Sequence, residues 1–213
     1  MKNTVIFDLD GTLLNTLSDL TDSMNFALAA HGLPAISEQS AKMMLGNGIE
    51  YFARKAVGDK QDETAAVLDT FKARYKAHSA DRTAPYDGVL PLLRTLKERG
   101  IKTAIVSNKI HFAVEDLNAT MFEGLVGVAM GEREGIRRKP APDMVYLALD
   151  LLGAKKDETL YVGDSDTDLL TAANAGLEAV AVTWGFRSRE FLIGCGASKL
   201  IDKPEELLKC LET

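Results

Sequence analysis

Short apolar runs, each ending in a cluster of polar residues, recur along this chain and confine it to a narrow set of folds. Thr4 to Phe7, Lys102 to Val106, Leu125 to Met130, Thr159 to Val162 and Ala179 to Thr183 are rich in β-branched residues and too short for helices. Each reads as a buried strand. The helical stretches between them stop at Arg99-Gly100, Leu152-Gly153 and Ala175-Gly176, where glycine can close a helix in the left-handed conformation. Alternation of strand and helix predicts a parallel sheet with helices wound on both faces. Lys199 to Ile201 reads as an edge strand and Pro204 as the start of a final helix. In such a sheet, ligands bind in the crevice outside the carboxyl ends of the strands.

One long stretch breaks the alternation. Asn15, Thr16 and Ser18 can each cap a helix that runs to about Ala30, with Leu20, Met24, Ala27 and Leu28 on one face. His31-Gly32 stops it, and His31 reads as a helix-end cation rather than a ligand. Ser37, or alternatively Ser40, opens a second helix; Gly46-Asn47-Gly48 breaks it. A third helix is expected from Ile49 to about Val57. A fourth runs from about Asp62 to His78, with Val67, Leu68, Phe71 and Tyr75 as its apolar stripe. Ser79 to Pro85 returns as a hinge. The expected fold is α/β: a Rossmann-like, doubly wound parallel core of residues 1–14 and 82–213, with an all-α helical cap of residues 15–81 inserted into it.

Composition removes several classes of function. With 213 residues and 46% hydrophobic content the chain can bury a sizeable core. A net charge of −6 with no basic stripe argues against nucleic acid as a partner. No apolar run approaches the roughly 18 residues of a membrane span, and Met1-Lys2-Asn3 leads into the first strand without a signal-peptide core. Cys195 and Cys210 lack metal-ligand spacing and read as reduced thiols, so a cytoplasmic protein is expected. An anionic substrate would need local positive charge to offset the global field.

Four strand ends carry the chemistry. After the first come Asp8-Leu9-Asp10-Gly11-Thr12, two carboxylates too close to ionise comfortably without a cation, then a glycine that turns bare amides outward. A merely acidic turn would look the same at Asp8 and Asp10 alone. Ser107-Asn108-Lys109 offers a hydroxyl and an amide to a phosphate, or simply a helix cap. Lys139, fixed by Pro140-Ala141-Pro142-Asp143 at a helix start, can neutralise a phosphorylated group as a compact charge; its neighbours Arg133, Glu134, Arg137 and Arg138 read as a solvated loop. Gly163-Asp164-Ser165-Asp166-Thr167-Asp168 crowds three carboxylates into five residues, more than a favourable helix start requires.

In this order, Asp8-x-Asp10-Gly11-Thr12, Ser107, Lys139-Pro140 and Gly163-Asp164 with Asp168 resemble the four motifs of the haloacid-dehalogenase-like phosphohydrolases, over almost the whole chain. The wording around Gly46-Asn47-Gly48, Ser107-Asn108-Lys109, Arg137 to Asp143 and Gly163 to Asp168 looks most like the phosphoglycolate phosphatases within that family. Asn15 departs from the Asp often found there. The resemblance implies Asp8 as nucleophile and Asp10 as general acid and base. It implies Mg²⁺ held by Asp8, the Asp10 carbonyl and Asp164, with Asp168 supporting the metal or Lys139. Thr12, Ser107 and Asn108 are then expected to bind phosphoryl oxygens and Lys139 to stabilise their charge, while Asn47 and Gly48 meet the rest of the substrate.

The expected activity is Mg²⁺-dependent hydrolysis of a small phosphomonoester, with 2-phosphoglycolate leading, by a monomer or weak homodimer. A sugar phosphomutase is the first rival, although those relatives usually carry Glu where this chain has Gly163. Another small-molecule phosphatase or a pyrophosphatase of the same fold is a further one. Asp10 argues against a dehalogenase, which has no leaving alkoxide to protonate. A phosphate-binding protein without turnover is the reading from another class.

Overall fold

The computed structural model describes residues 2–212. In chain order the elements are β1 (Thr4–Phe7), β2 (Leu14–Asn15), α1 (Leu17–Ala30), α2 (Glu38–Met44), α3 (Ile49–Ala56), α4 (Thr64–His78) and β3 (Ala84–Pro85). They continue with α5 (Val89–Glu98), β4 (Lys102–Ile110), α6 (His111–Phe122), β5 (Val128–Glu132), α7 (Asp143–Leu152), β6 (Thr159–Gly163), α8 (Asp166–Ala175) and β7 (Glu178–Val182). The chain closes with α9 (Arg189–Gly194), β8 (Leu200–Ile201) and α10 (Leu207–Cys210).

Six strands form one parallel sheet in the order β5-β4-β1-β6-β7-β8. The chain builds outward from β1 on one side, then returns to build outward on the other. That reversal leaves a crevice at the carboxyl ends of β1 and β6, the switch point where such sheets bind ligands. Register is fixed there by Phe7 opposite Val162, so Asp8, after β1, comes off beside Gly163 at the end of β6 and Asp164 after it.

Both faces of the sheet are covered, which is why its strands read as continuous apolar runs. Val5 and Phe7 point to one face with Ile105, Leu160 and Val162, against Leu93, Leu117 and Leu207. Ile6 points to the other with Ala104, Val106 and Tyr161, against Val145, Ala148 and Ala172. Each such fully buried Val, Leu, Ile or Phe side chain contributes roughly 1.5–3 kcal/mol relative to exposure. The inserted helices α1–α4 close around a separate cluster that includes Met24, Leu28, Phe52, Val67, Phe71 and Tyr75. One residue of that cluster, Phe186, comes from the loop after β7.

Several boundaries differ from expectation, each for a local reason. The chain leaves and re-enters the sheet through a two-stranded antiparallel ribbon, Leu14 opposite Pro85 and Asn15 opposite Ala84, too short to show a periodicity in sequence. Thr16 stands at the start of α1 but its hydroxyl makes no cap bond. Ser37 does cap α2, accepting from the Ser40 N–H at 3.1 Å. Strand β4 continues past Val106 to Ile110 across a register shift against β5. Strand β5 starts at Val128, because Leu125 already closes a turn on Phe122. Asp143 is the first residue of α7, not its cap, and its carboxylate takes the Arg137 Nε at 2.9 Å.

Candidate active site

Asp8, buried at the end of β1, lies with its Oδ1 2.8 Å from the Nζ of Lys139. Apart from this ion pair Oδ1 has no hydrogen-bond partner. Burial, then the charge of Asp168, push the Asp8 carboxyl up to about 7, although Lys139 pulls it the other way. Asp164, after β6, is held by the Phe186 N–H at 2.6 Å and more loosely by the Thr12 hydroxyl at 3.4 Å. Burial, Asp168 and Asp8 hold its carboxyl well above the ordinary aspartate range. Two buried acids raised first by burial and then by the charge of Asp168 form an arrangement that a cation would relieve.

Asp8, Asp164 and Asp168 each bring a carboxylate oxygen within 4.8 Å of the others. Asp8 Oδ1, whose one partner is the Lys139 ammonium among the described residues, and the all-oxygen donors suit a hard divalent cation. The three carboxylates are not equivalent. Asp168 Oδ1 accepts from Lys139 Nζ at 2.7 Å and from the Tyr161 hydroxyl at 3.2 Å, while Oδ2 accepts from the Ser165 hydroxyl at 2.6 Å and its N–H at 3.1 Å. Ser165 in return caps α8 by accepting from the Asp168 N–H, a reciprocal capping box. With four donors on its two oxygens, Asp168 chiefly anchors Lys139. Asp8 and Asp164 are the freer cation ligands.

Lys139 is buried between Asp8 and Asp168. Burial opposes its charge, but the two carboxylates outweigh that and hold its ammonium well above the ordinary lysine value. Its backbone is placed by Asn108, whose Oδ1 accepts the Lys139 N–H at 2.8 Å and whose Nδ2 donates to the Lys139 carbonyl at 3.1 Å and to that of Gly46 at 3.1 Å. The Asn108 amide is therefore spent on main chain, and a phosphate contact from this residue falls to its own N–H. Ser107 accepts the Lys109 N–H at 3.2 Å, which leaves its own O–H to donate into the cavity it lines. Thr12 faces Asp164 and does not line that cavity, so its hydroxyl supports a carboxylate where a phosphate contact was expected.

Gly11 has φ +85°, and a Cβ there would stand 2.3 Å from Asp164 Oδ2. Only glycine lets the β1 turn pass this close to the β6 aspartate. The cavity above runs between the strand ends and the inserted helices. Asp8, Asp10, Ser107 and Lys139 form its floor, and Leu20, Leu45, Ile49 and Phe71 much of its roof. Gly48 lines it, and Asn47 accepts from the Thr167 hydroxyl at 3.5 Å.

Two cations were not foreseen. Lys109 is buried, with Nζ 2.8 Å from Asp10 Oδ1 and 2.6 Å from the Tyr75 hydroxyl. Arg187 is buried and donates to the carbonyls of Lys42 at 2.7 Å and Leu45 at 2.8 Å, satisfying the end of α2. A lysine beside the Ser107-Asn108 pair and an arginine in the loop after β7 were the available signals, masked because both lie among residues that also read as helix starts or loop.

An aspartate pair in the turn after β1, a serine in β4, a buried lysine and a second acidic turn after β6, gathered about the switch point, define a hydrolase site of one architecture. The chain belongs to the haloacid dehalogenase-like hydrolases: the model of that family matches residues 5–182. It is 37% identical to a phosphoglycolate phosphatase of Rhodospirillum rubrum over 95% of this chain and 88% of that one. An N-acetylmuramic acid 6-phosphate phosphatase of Pseudomonas aeruginosa is 31% identical over 98% of this chain and 94% of its own. A crystal structure from Lactobacillus delbrueckii subsp. bulgaricus, whose assignment as a phosphoglycolate phosphatase is itself provisional, superposes with a TM-score of 0.95 at 36% identity, covering 99% of both chains.

Proposed function

We propose that this protein is a Mg²⁺-dependent phosphatase of small phosphomonoesters, working through a phosphorylated Asp8. The observation that carries the reading is the buried Asp8 carboxylate with Lys139 at 2.8 Å, Asp10 two residues on and Asp164 across the switch point. Asp8 attacks phosphorus and the bond to the leaving oxygen breaks, with Asp10 giving that oxygen a proton. Water then attacks the same phosphorus, Asp10 takes its proton, and the carboxylate of Asp8 returns as phosphate departs. Lys139 offsets charge on the phosphoryl oxygens, and the Ser107 O–H orients them. A bound Mg²⁺, held by Asp8, the Asp10 carbonyl and Asp164, would add electrostatic stabilisation of the transferring group.

Residues 15–81 act in this reading as a cap that excludes water from the phosphoryl group, and residues 1–14 and 82–213 as the catalytic core. Phosphoglycolate is the leading substrate. Both relatives are named for phosphate esters of a carboxylic acid, which directs attention to a cation on the cap. Lys72, on α4, lines the cavity and is exposed at its rim. We assign it to the substrate carboxylate. We also place the protein in the cytoplasm, as a monomer or weak homodimer; among the described residues no helix is long and apolar enough to cross a membrane.

A phosphate-release screen over small phosphomonoesters, with and without Mg²⁺, tests the reading. Highest kcat/KM on carboxylated monoesters is expected. No release from any ester with the metal present would instead favour a phosphate-binding protein.

A further inference from the structure

Resting on that reading, we propose that Lys109 is a positioning residue for Asp10, and that Tyr75 makes its placement depend on the cap. Asp10 must present one oxygen to the leaving group within about 3 Å to pass a proton. Its side chain is 20% exposed on a turn, where an aspartate has two soft torsions to fix. Lys109 supplies the choice: Nζ stands 2.8 Å from Oδ1 of an aspartate that lines the cavity.

The lysine is itself held with unusual strictness. Its side chain is 2% exposed, and its ammonium donates to the Tyr75 hydroxyl at 2.6 Å. Tyr75 is on α4, stacked on Phe71 with ring centroids 5.4 Å apart, inside the apolar cluster of the inserted helices. Lys109 is on β4, in the stretch where register against β5 shifts. Such irregularities re-aim a side chain. Gly131 of β5 lets the shifted stretch pack, since a Cβ there would stand 2.4 Å from the Lys109 carbonyl. The chain Asp10–Lys109–Tyr75 is thus a polar contact from the catalytic core to the cap, made at the acid–base carboxylate. With the cap displaced, Lys109 loses its second partner and Asp10 its fixed orientation. Proton transfer is then set up when the cap lies over the substrate.

Lys109 also lines the cavity, so a direct phosphate contact is the competing role. A double-mutant cycle separates the two, read as kcat/KM on an alkyl ester, phosphoglycolate, and on an aryl ester, p-nitrophenyl phosphate, with Mg²⁺ present. This quantity reports events up to departure of the leaving group, and an aryl oxide departs with little need of a proton. Lys109→Met is expected to lose about 10-fold or more on the alkyl ester, part of the 10²-fold or greater worth of general acid catalysis, and much less on the aryl ester. In an Asp10→Asn background the same substitution should cost nothing further on the alkyl ester, because its partner is already gone. Tyr75→Phe should repeat the alkyl-selective loss at smaller size, and it serves alone if Lys109→Met does not fold. Equal losses on the two esters, or a full loss from Lys109→Met in the Asp10→Asn background, would overturn the proposal in favour of phosphate binding. Absence of turnover by the wild-type protein is a different result: it removes the phosphatase reading, and this inference with it.

Discussion

Asp19 reaches from the first turn of α1 to Thr83, just before the returning strand β3, accepting from both its N–H and its hydroxyl at 2.8 Å. The same carboxylate takes the Arg82 N–H at 3.0 Å, and it is buried. One side chain therefore locks the outgoing and returning hinge segments at their point of crossing. Asp19→Ala would leave the Thr83 and Arg82 amides without partners, a loss of about 2–3 kcal/mol for bonds to a charged acceptor. Chemical denaturation should show the lowered midpoint. An unchanged midpoint would mean that water replaces the carboxylate at no cost.

At the nucleophile, Asp8→Asn should abolish turnover while keeping the fold. Its effect on stability is the more discriminating measurement. Burial and Asp168 make the charged carboxylate unfavourable here, so removing that charge should raise the melting temperature of the metal-free protein at neutral pH and above. Near-normal phosphate release from the folded variant would sink the covalent mechanism.

A pH dependence follows with a definite sign. The Asp8 carboxyl is raised from 3.8 to about 7 in the folded protein, so the native state binds more protons than the unfolded chain between those values. Stability of the metal-free protein should fall as pH rises across this window. The raised carboxyl of Asp164 acts in the same direction. Mg²⁺ competes with those protons, so its stabilising shift in melting temperature should be larger above pH 7 than near pH 4. Thermal melts with and without the metal at both ends test this. A metal shift independent of pH would show that these carboxylates are not its ligands.

Substrate choice can be probed at the rim of the cavity. Lys72→Ala should raise KM for phosphoglycolate and leave p-nitrophenyl phosphate nearly unaffected, since only the former carries a carboxylate. Gly48 is a poor place for the same question. It has φ +84°, and a Cβ would meet Arg138 and Glu132 side-chain atoms at 3.2 Å, so any side chain strains the turn whatever the substrate. Asn47→Ala, at the contact with Thr167, tests the turn more cleanly. Equal effects of Lys72→Ala on both esters would remove it from the specificity pocket.

The core was readable because its strands are buried on both faces and its acidic turns sit where strands must end. Asp8, Lys139 and Asp164 converge on one another from sequence-distant strand ends, and the motif order sufficed to expect it. What stayed hidden depends on direction rather than residue type. Nothing in Ser107-Asn108-Lys109 tells which side chains enter the cavity, since a register shift decides that; Asn108 turned to the backbone and Lys109 to Asp10. The Thr12 hydroxyl could face phosphate or Asp164 with equal chemical sense. The hinge ribbon, two residues per strand, carries no pattern at all.

The chain contains one tryptophan, Trp184, and its indole Nε1 donates to the carbonyl of Thr12 at 3.0 Å, in the turn that also carries Asp8 and Asp10. Two residues further on, Phe186 holds Asp164 by its N–H and packs its ring among the cap helices. The molecule thus has a built-in optical probe bonded to the reactive turn and two residues from a side chain packed in the inserted helices. Its emission, free of any competing indole, offers a label-free trace of metal entry in real time.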